Sequence, residues 1–276
     1  MSWQVIAKKD YAESRDSKLV YYLLLFFAFV FLVGGYTYPT VTEGDPTKGG
    51  FAGFMTGAVS LLLPLIAILL SYNSIVGERE SGKLNLLLSL PYNRREVVFG
   101  KLVGRGVLLL IAIVGSLVSA GALVVYPFGS VSAMSLLNYV GYMILTTAFA
   151  GIFFGIGLAV STFTTSKRLA TMGGFGAYFL FALVWDGVRQ GLNYALEQVG
   201  VIDGTAPDWL LFVYGIEPTM LYDRLVTGFI ENDVSGPYFG ADTPWYLGKW
   251  AGLVLFLVWV VVPLSLGYWR FEVTDL

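Results

Sequence analysis

Two residue types are missing from these 276 residues: there is no cysteine and no histidine. Without cysteine the chain forms no disulfide and no thiolate metal site. Without histidine it lacks the commonest metal ligand and the commonest neutral-pH base. Charge is also scarce. Only 13% of the residues are charged, roughly half the share in an ordinary soluble domain. A net charge of −2 provides no basic field for a nucleic acid. What is plentiful is apolar: 56% of residues are hydrophobic and the mean hydropathy is +0.71. So little polar surface cannot cover a water-soluble fold of this size. The chain reads as an all-α integral membrane protein with one transmembrane domain over 1–276.

A bilayer core takes about 20 apolar residues per helix. Six stretches meet that demand, near 19–38, 51–74, 102–126, 136–163, 169–185 and 247–269. Pro64 and Pro263 fall inside two of them and predict kinks. Tyr21, Tyr22, Tyr36, Tyr38, Tyr126, Trp245, Trp250 and Trp269 gather at the ends, as aromatic belts do. With the N-terminus in the cytoplasm, 13 of the 17 Lys and Arg residues fall on inner segments. Lys48, Arg189, Arg224 and Lys249 fall outside. This bias predicts a multi-pass protein of the cytoplasmic membrane with both termini inside. The N-terminus does not read as a cleavable signal, because its first apolar run is long enough to span.

Residues 1–18 are polar, yet Trp3, Ile6, Ala7 and Tyr11 line one side of a helix. Lys8, Lys9 and Arg15 are spaced to reach lipid phosphates, so an interfacial helix is expected, with a solvated tail as the alternative. Gly100 and Gly104, and Gly151, Gly155 and Gly157, offer close helix approach, more readily within one subunit than at a dimer seam. Packing is also the expected use of Gly173, Gly174 and Gly176. Asp186 and Arg189 have the spacing of a helical ion pair.

The segment between the second and third spans is charged at both ends and greasy in the middle. It runs Val76-Gly-Glu-Arg-Glu-Ser-Gly-Lys-Leu-Asn-Leu-Leu-Leu-Ser-Leu-Pro, then Asn93-Arg-Arg-Glu, then Gly100-Lys-Leu. A few polar residues would be enough to turn the chain. The spacing predicts a helix over about 77–90, opened by Glu78, Arg79 and Glu80 and ended by Pro91. Gly82 is read as a site of close backbone approach. Arg94, Arg95, Lys101 and Arg105 are expected at headgroup level. A plain cytoplasmic loop with interfacial anchors is the alternative.

These motifs resemble the ABC-2-type transporter permeases. The run from Pro64 to Gly77 is similar to the subgroup serving nitrous-oxide-reductase maturation. Lys83 departs from the Thr of many relatives. The resemblance implies half of a dimeric pore, with a second permease copy, a homodimer, as partner. It implies a coupling helix made by Gly77, Glu78, Arg79, Glu80, Gly82, Lys83, Leu84, Leu87 and Pro91, gripped by a separate ABC ATPase. It implies ATP and Mg on that ATPase, no cofactor on this chain, and export as the direction. No phosphate-cradling Gly-x-x-x-x-Gly-Lys-Ser/Thr loop occurs here, which is consistent with a separate ATPase. The dimer seam in this family usually involves the first and fifth spans.

Residues 190–246 are acidic but interrupted by an apolar run from Pro207, so short helices dipping into the outer leaflet or capping the pore are expected. Within it, Pro218, Tyr222 and Arg224 resemble an Asn-Pro…Tyr-Arg element of the subgroup, with Glu217 in place of Asn. The functional reading is an exit gate or a seat for an extracellular accessory protein; the other is a structural lid. No catalytic or metal residue stands out, since an intramembrane protease needs a nucleophile–base pair, paired aspartates or a metal. A non-transporting scaffold or receptor subunit remains as the alternative function. The uncharged spans suit a lipid-like, amphipathic or peptide cargo. The subgroup resemblance also admits a sulfur-containing or metal-related one.

Overall fold

The computed structural model describes residues 2–42, 50–89, 92–126, 133–203, 206–232, 236–240 and 243–273. All regular structure among them is helical. Helix α1 (Ser2–Arg15) precedes the first span, α2 (Lys18–Val41). The second span is α3 (Gly50–Ser71), followed by two short helices, α4 (Val76–Glu80) and α5 (Lys83–Leu88). The third and fourth spans are α6 (Arg94–Val125) and α7 (Ala133–Phe163). The fifth is α8 (Lys167–Tyr178), which runs through a π-helical stretch at Phe179–Val184 into α9 (Trp185–Gln198). Two short helices follow, α10 (Asp208–Gly215) and α11 (Pro218–Leu225), the latter extended by a π-helical stretch to Glu231. The sixth span is α12 (Lys249–Val273). Among the described residues, six helices are thus long and apolar enough to cross a membrane.

Two ends differ from the boundaries expected of the sequence. Helix α6 starts at Arg94, eight residues before Leu102, because its polar first turns find partners. The Asn93 backbone N–H donates to Glu96 Oε2 at 2.9 Å, and Arg94 Nη1 donates to the Phe271 and Glu272 carbonyls that end α12. The fifth helix continues thirteen residues beyond Trp185, since its polar turns are also used: Asn193 Oδ1 accepts from the Tyr214 hydroxyl at 2.9 Å. Arg189 pairs with Asp186 at 3.2 Å.

Spans two and four form the centre, each with half of its apolar window buried. Phe149 lies edge-on to Phe153 and stacks on Tyr222 at 4.4 Å between centroids. Gly155 meets Leu264, and Gly173 meets Val160, so these glycines serve packing inside the chain. The first and sixth spans bury 22% and the fifth only 11%. The end bearing α1, α4 and α5 is called the base below, and the end bearing α10 and α11 the crown.

Candidate functional site

The base is built around α4, in which nearly every residue is tied to a different neighbour. The Ile75 and Val76 N–H groups donate to Ser161 Oγ of the fourth span at 3.0 and 3.1 Å, so a side chain 85 residues away caps this helix. Glu78 Oε1 lies 2.8 Å from Lys101 Nζ of the third span. Arg79 Nη1 donates to the Thr164 carbonyl at 2.9 Å. Glu80 Oε1 accepts from the Lys167 N–H at 2.6 Å, at the first residue of α8. These polar ties fasten one short helix to spans three, four and five.

The single helix expected over 77–90 is two. The chain breaks at Ser81–Gly82, where Gly82 takes φ +70°, a left-handed conformation costly to any residue with a Cβ. A Cβ there would meet nothing within 4 Å, so Gly82 supplies a bend and not the close approach read from the sequence. Gly77 is the crowded position: a Cβ would lie 2.6 Å from Asn73 Oδ1. After the bend, Leu84 is fully buried in the core and Leu87 packs partly against it. Glu80, Ser81, Lys83 and Leu86 face outward, with Leu86 71% exposed. Leu86 was not singled out by the sequence, where nothing separates it from its leucine neighbours. Pro91 lies outside the described residues.

The four cations assigned to the membrane surface divide into two pairs. Arg95 is exposed and pairs with Glu272 at 2.9 Å, and Arg94 sits half-buried on the end of α12. Lys101 and Arg105 are a correction. Lys101 is 2% exposed, held between Glu78 and Asp10, with Asp10 Oδ1 at 3.3 Å. Arg105 donates through Nε to Asp10 Oδ2 at 2.9 Å and through Nη1 to the Leu70 carbonyl at 2.7 Å. Both are turned into the protein, because a cation inside a helical bundle is held by a buried anion. Carboxylate oxygens of Asp10, Glu13 and Glu78 come within 4.8 Å of one another. Lys101 and Arg105 already supply the positive charge that a metal would bring there, so the cluster is an ion-pair network.

Asp10 is the residue that sequence reading missed. It sits on the side of α1 that also carries Ile6, Ala7 and Ser14, all buried. That side meets the protein and not the headgroups: a Cβ on Gly100 would lie 2.8 Å from Ile6 Cβ, and one on Gly104 2.6 Å from the Ala7 carbonyl. A lone acid on the apolar side of a helix was the available signal.

At the crown, Pro218, Tyr222 and Arg224 hold α11 in place. Pro218 opens the helix, and Glu217 caps it, accepting from the Thr219 and Met220 N–H groups at 2.7 Å each. Burial pushes the Glu217 carboxyl up to about 7, against the pull of those two donors. The Tyr222 hydroxyl bonds Thr146 Oγ1 at 2.9 Å. Arg224 is 3% exposed, donates to the carbonyls of Gly215, Leu247 and Gly248, and lies over the Tyr238 ring at 4.2 Å. A cavity of about 600 Å³ opens beside α11, walled by Thr56 and Ser60 of the second span, Asp186 and Arg189 of the fifth, and Glu217 and Asp223.

Comparison with known proteins gives this geometry a family. A model described as "ABC-2 family transporter protein" matches residues 4–276. The chain is 30% identical over 271 residues to the probable ABC transporter permease protein NosY of Stutzerimonas stutzeri, covering 95% of each chain. It is 29% identical over 265 residues to the protein of the same name from Pseudomonas aeruginosa, covering 91% of this chain and 94% of that one. Proteins of this kind are permease subunits that work with an ATPase partner. The chain belongs to the ABC-2 family and is an ABC transporter membrane subunit.

Proposed function

We propose that this subunit exports a cargo across the cytoplasmic membrane, driven by ATP hydrolysis on a separate subunit that grips α4 and α5 from the cytoplasm. The observation that carries the proposal is the division of labour along that hairpin. Val76, Glu78, Arg79 and Glu80 fasten it to three spans, while Ser81, Lys83 and Leu86 project outward. A segment tied to the bundle inside and bare outside is fitted to receive a push and pass it on. ATP and Mg belong to the partner, and this chain binds no cofactor. The base faces the cytoplasm in this reading, which the Lys and Arg bias supports. The second copy meets this one through the first and fifth spans. The fifth span's burial within the chain, 11%, is the lowest of the six and supports its place in that seam; the first span's 22% equals the sixth's. The crown cavity beside α11 is the exit, with Pro218, Tyr222 and Arg224 fixing its wall; an extracellular accessory protein is the partner proposed there.

The absence of native cysteine makes the test clean. Single cysteines are placed at Ser81, Lys83 and Val199, and the assembled complex is treated with a short thiol–amine cross-linker. Cysteines at 81 and 83 should join the ATPase, and the one at 199 should not. An ATPase adduct at 199 with none at 81 or 83 refutes the arrangement. Failure to assemble with any ATPase favours the scaffold.

A further inference from the structure

The N-terminal helix has no part in the function proposed above, yet it is fastened to the same hairpin. Lys101 Nζ stands between two anions from distant parts of the chain, Asp10 Oδ1 at 3.3 Å and Glu78 Oε1 at 2.8 Å. Lys101 and Asp10 are each at least 96% buried, and Glu78 is mostly so. Arg105, one turn along, holds the second Asp10 oxygen and the Leu70 carbonyl near the end of α3. Lys101 and Arg105 match Asp10 and Glu78, while Glu13, whose carboxylate comes within 4.8 Å of theirs, pairs with Lys9 at 3.7 Å. Such a group is costly to open, because each partner would be left charged in a medium that solvates it poorly. Gly100 and Gly104 lie on the same face of α6 and bring its backbone against Ile6 and Ala7, so α1 has no room to slide along the third span.

We propose that Lys101 is a positioning residue, an ion lock joining α1 and the α4–α5 hairpin to the third span so that all three move as one body. The inference rests on the coupling role proposed above and deepens it. A push on the hairpin then moves the N-terminal helix and the third span together, and the second span does not bear it alone. Arg105 extends the lock to the end of α3. The third span becomes a driven element, and α1 rides with it along the membrane surface.

The experiment measures distances by pulsed electron resonance on the permease–ATPase complex in lipid nanodiscs, without nucleotide and with ATP and vanadate. One spin-label pair is Lys8→Cys with Ser81→Cys, across the lock, since both side chains are exposed. The second pair, Ser81→Cys with Val199→Cys, reports motion of the hairpin against the far end. The lock predicts that the 81–199 distance shifts with nucleotide and the 8–81 distance does not. In Lys101→Met the 8–81 distribution broadens and becomes nucleotide-dependent, and in Lys101→Arg it stays narrow. A nucleotide-dependent 8–81 distance in the wild type overturns the lock while leaving the coupling role intact. So does an 8–81 distribution unchanged by Lys101→Met. An 81–199 distance that never shifts removes the coupling role itself, and the lock with it. If Lys101→Met does not fold, the wild-type pair and Lys101→Arg still decide the matter.

Discussion

Base and crown both bury charge, but they neutralise it differently. At the base, side chain meets opposite charge across elements far apart in sequence: Asp10 with Lys101 and Arg105, and Lys101 with Glu78. At the crown, charge meets backbone. Glu217 takes two amides of its own helix, and Arg224 takes carbonyls from Gly215, nine residues back, and from Leu247 and Gly248. The first arrangement binds separate elements into one body. The second caps α11, pins it to the chain just before α12 and leaves the wall of a cavity in place. The difference fits the proposed coupling, which drives the subunit from its base and calls for stiffness there and a shaped, polar space at the other end.

The comparison breaks most readily at Lys101. Lys101→Met leaves Asp10 and Glu78 without a shared cation, and losing one partner of a buried pair costs about 3–5 kcal/mol. Thermal unfolding of the purified subunit should show a larger drop for this change than for a substitution at the crown. Arg224→Met strips several carbonyls of their donor there, a loss of about 2–3 kcal/mol in the same measurement. If Arg224 proved the costlier of the two, the contrast between the ends would be reversed.

A pH series sharpens the contrast further. Glu217 is raised from 4.5 to about 7 by burial, so over that range the folded protein holds a proton that the unfolded chain has released. Stability from this group therefore falls as pH rises from 4.5 to about 7, and returns on acidification. Glu217→Gln should flatten that slope in unfolding curves recorded across the range. A slope left intact would assign it elsewhere. Smallest of all is Arg95→Ala: its pair with Glu272 is exposed and screened by solvent, so the unfolding midpoint should stay at the wild-type value.

The six spans were legible because an apolar helix of bilayer length announces itself in composition alone. The hairpin was legible as an interruption, but its bend was not, since Gly82 looks the same whether it offers space or a left-handed turn. Lys101 and Arg105 show the limit most clearly. Each follows a packing glycine by one residue, Gly100 and Gly104, and a cation near the start of an apolar helix calls for an anion. The anion, Asp10, lies 91 residues from Lys101, and no local pattern links the two. Likewise nothing around Ser161 hints that it caps a helix begun 85 residues earlier. Hydrophobic period places elements, whereas long-range polar partners are settled only when those elements meet.

Which way the base faces can be read directly. In intact cells, a membrane-impermeant maleimide is applied to the Lys83→Cys and Val199→Cys proteins, each carrying one cysteine. The account predicts labelling at 199 and none at 83 until the membrane is opened. Labelling at 83 in sealed cells would place the hairpin outside, beyond the reach of any cytoplasmic ATPase, and would contradict it.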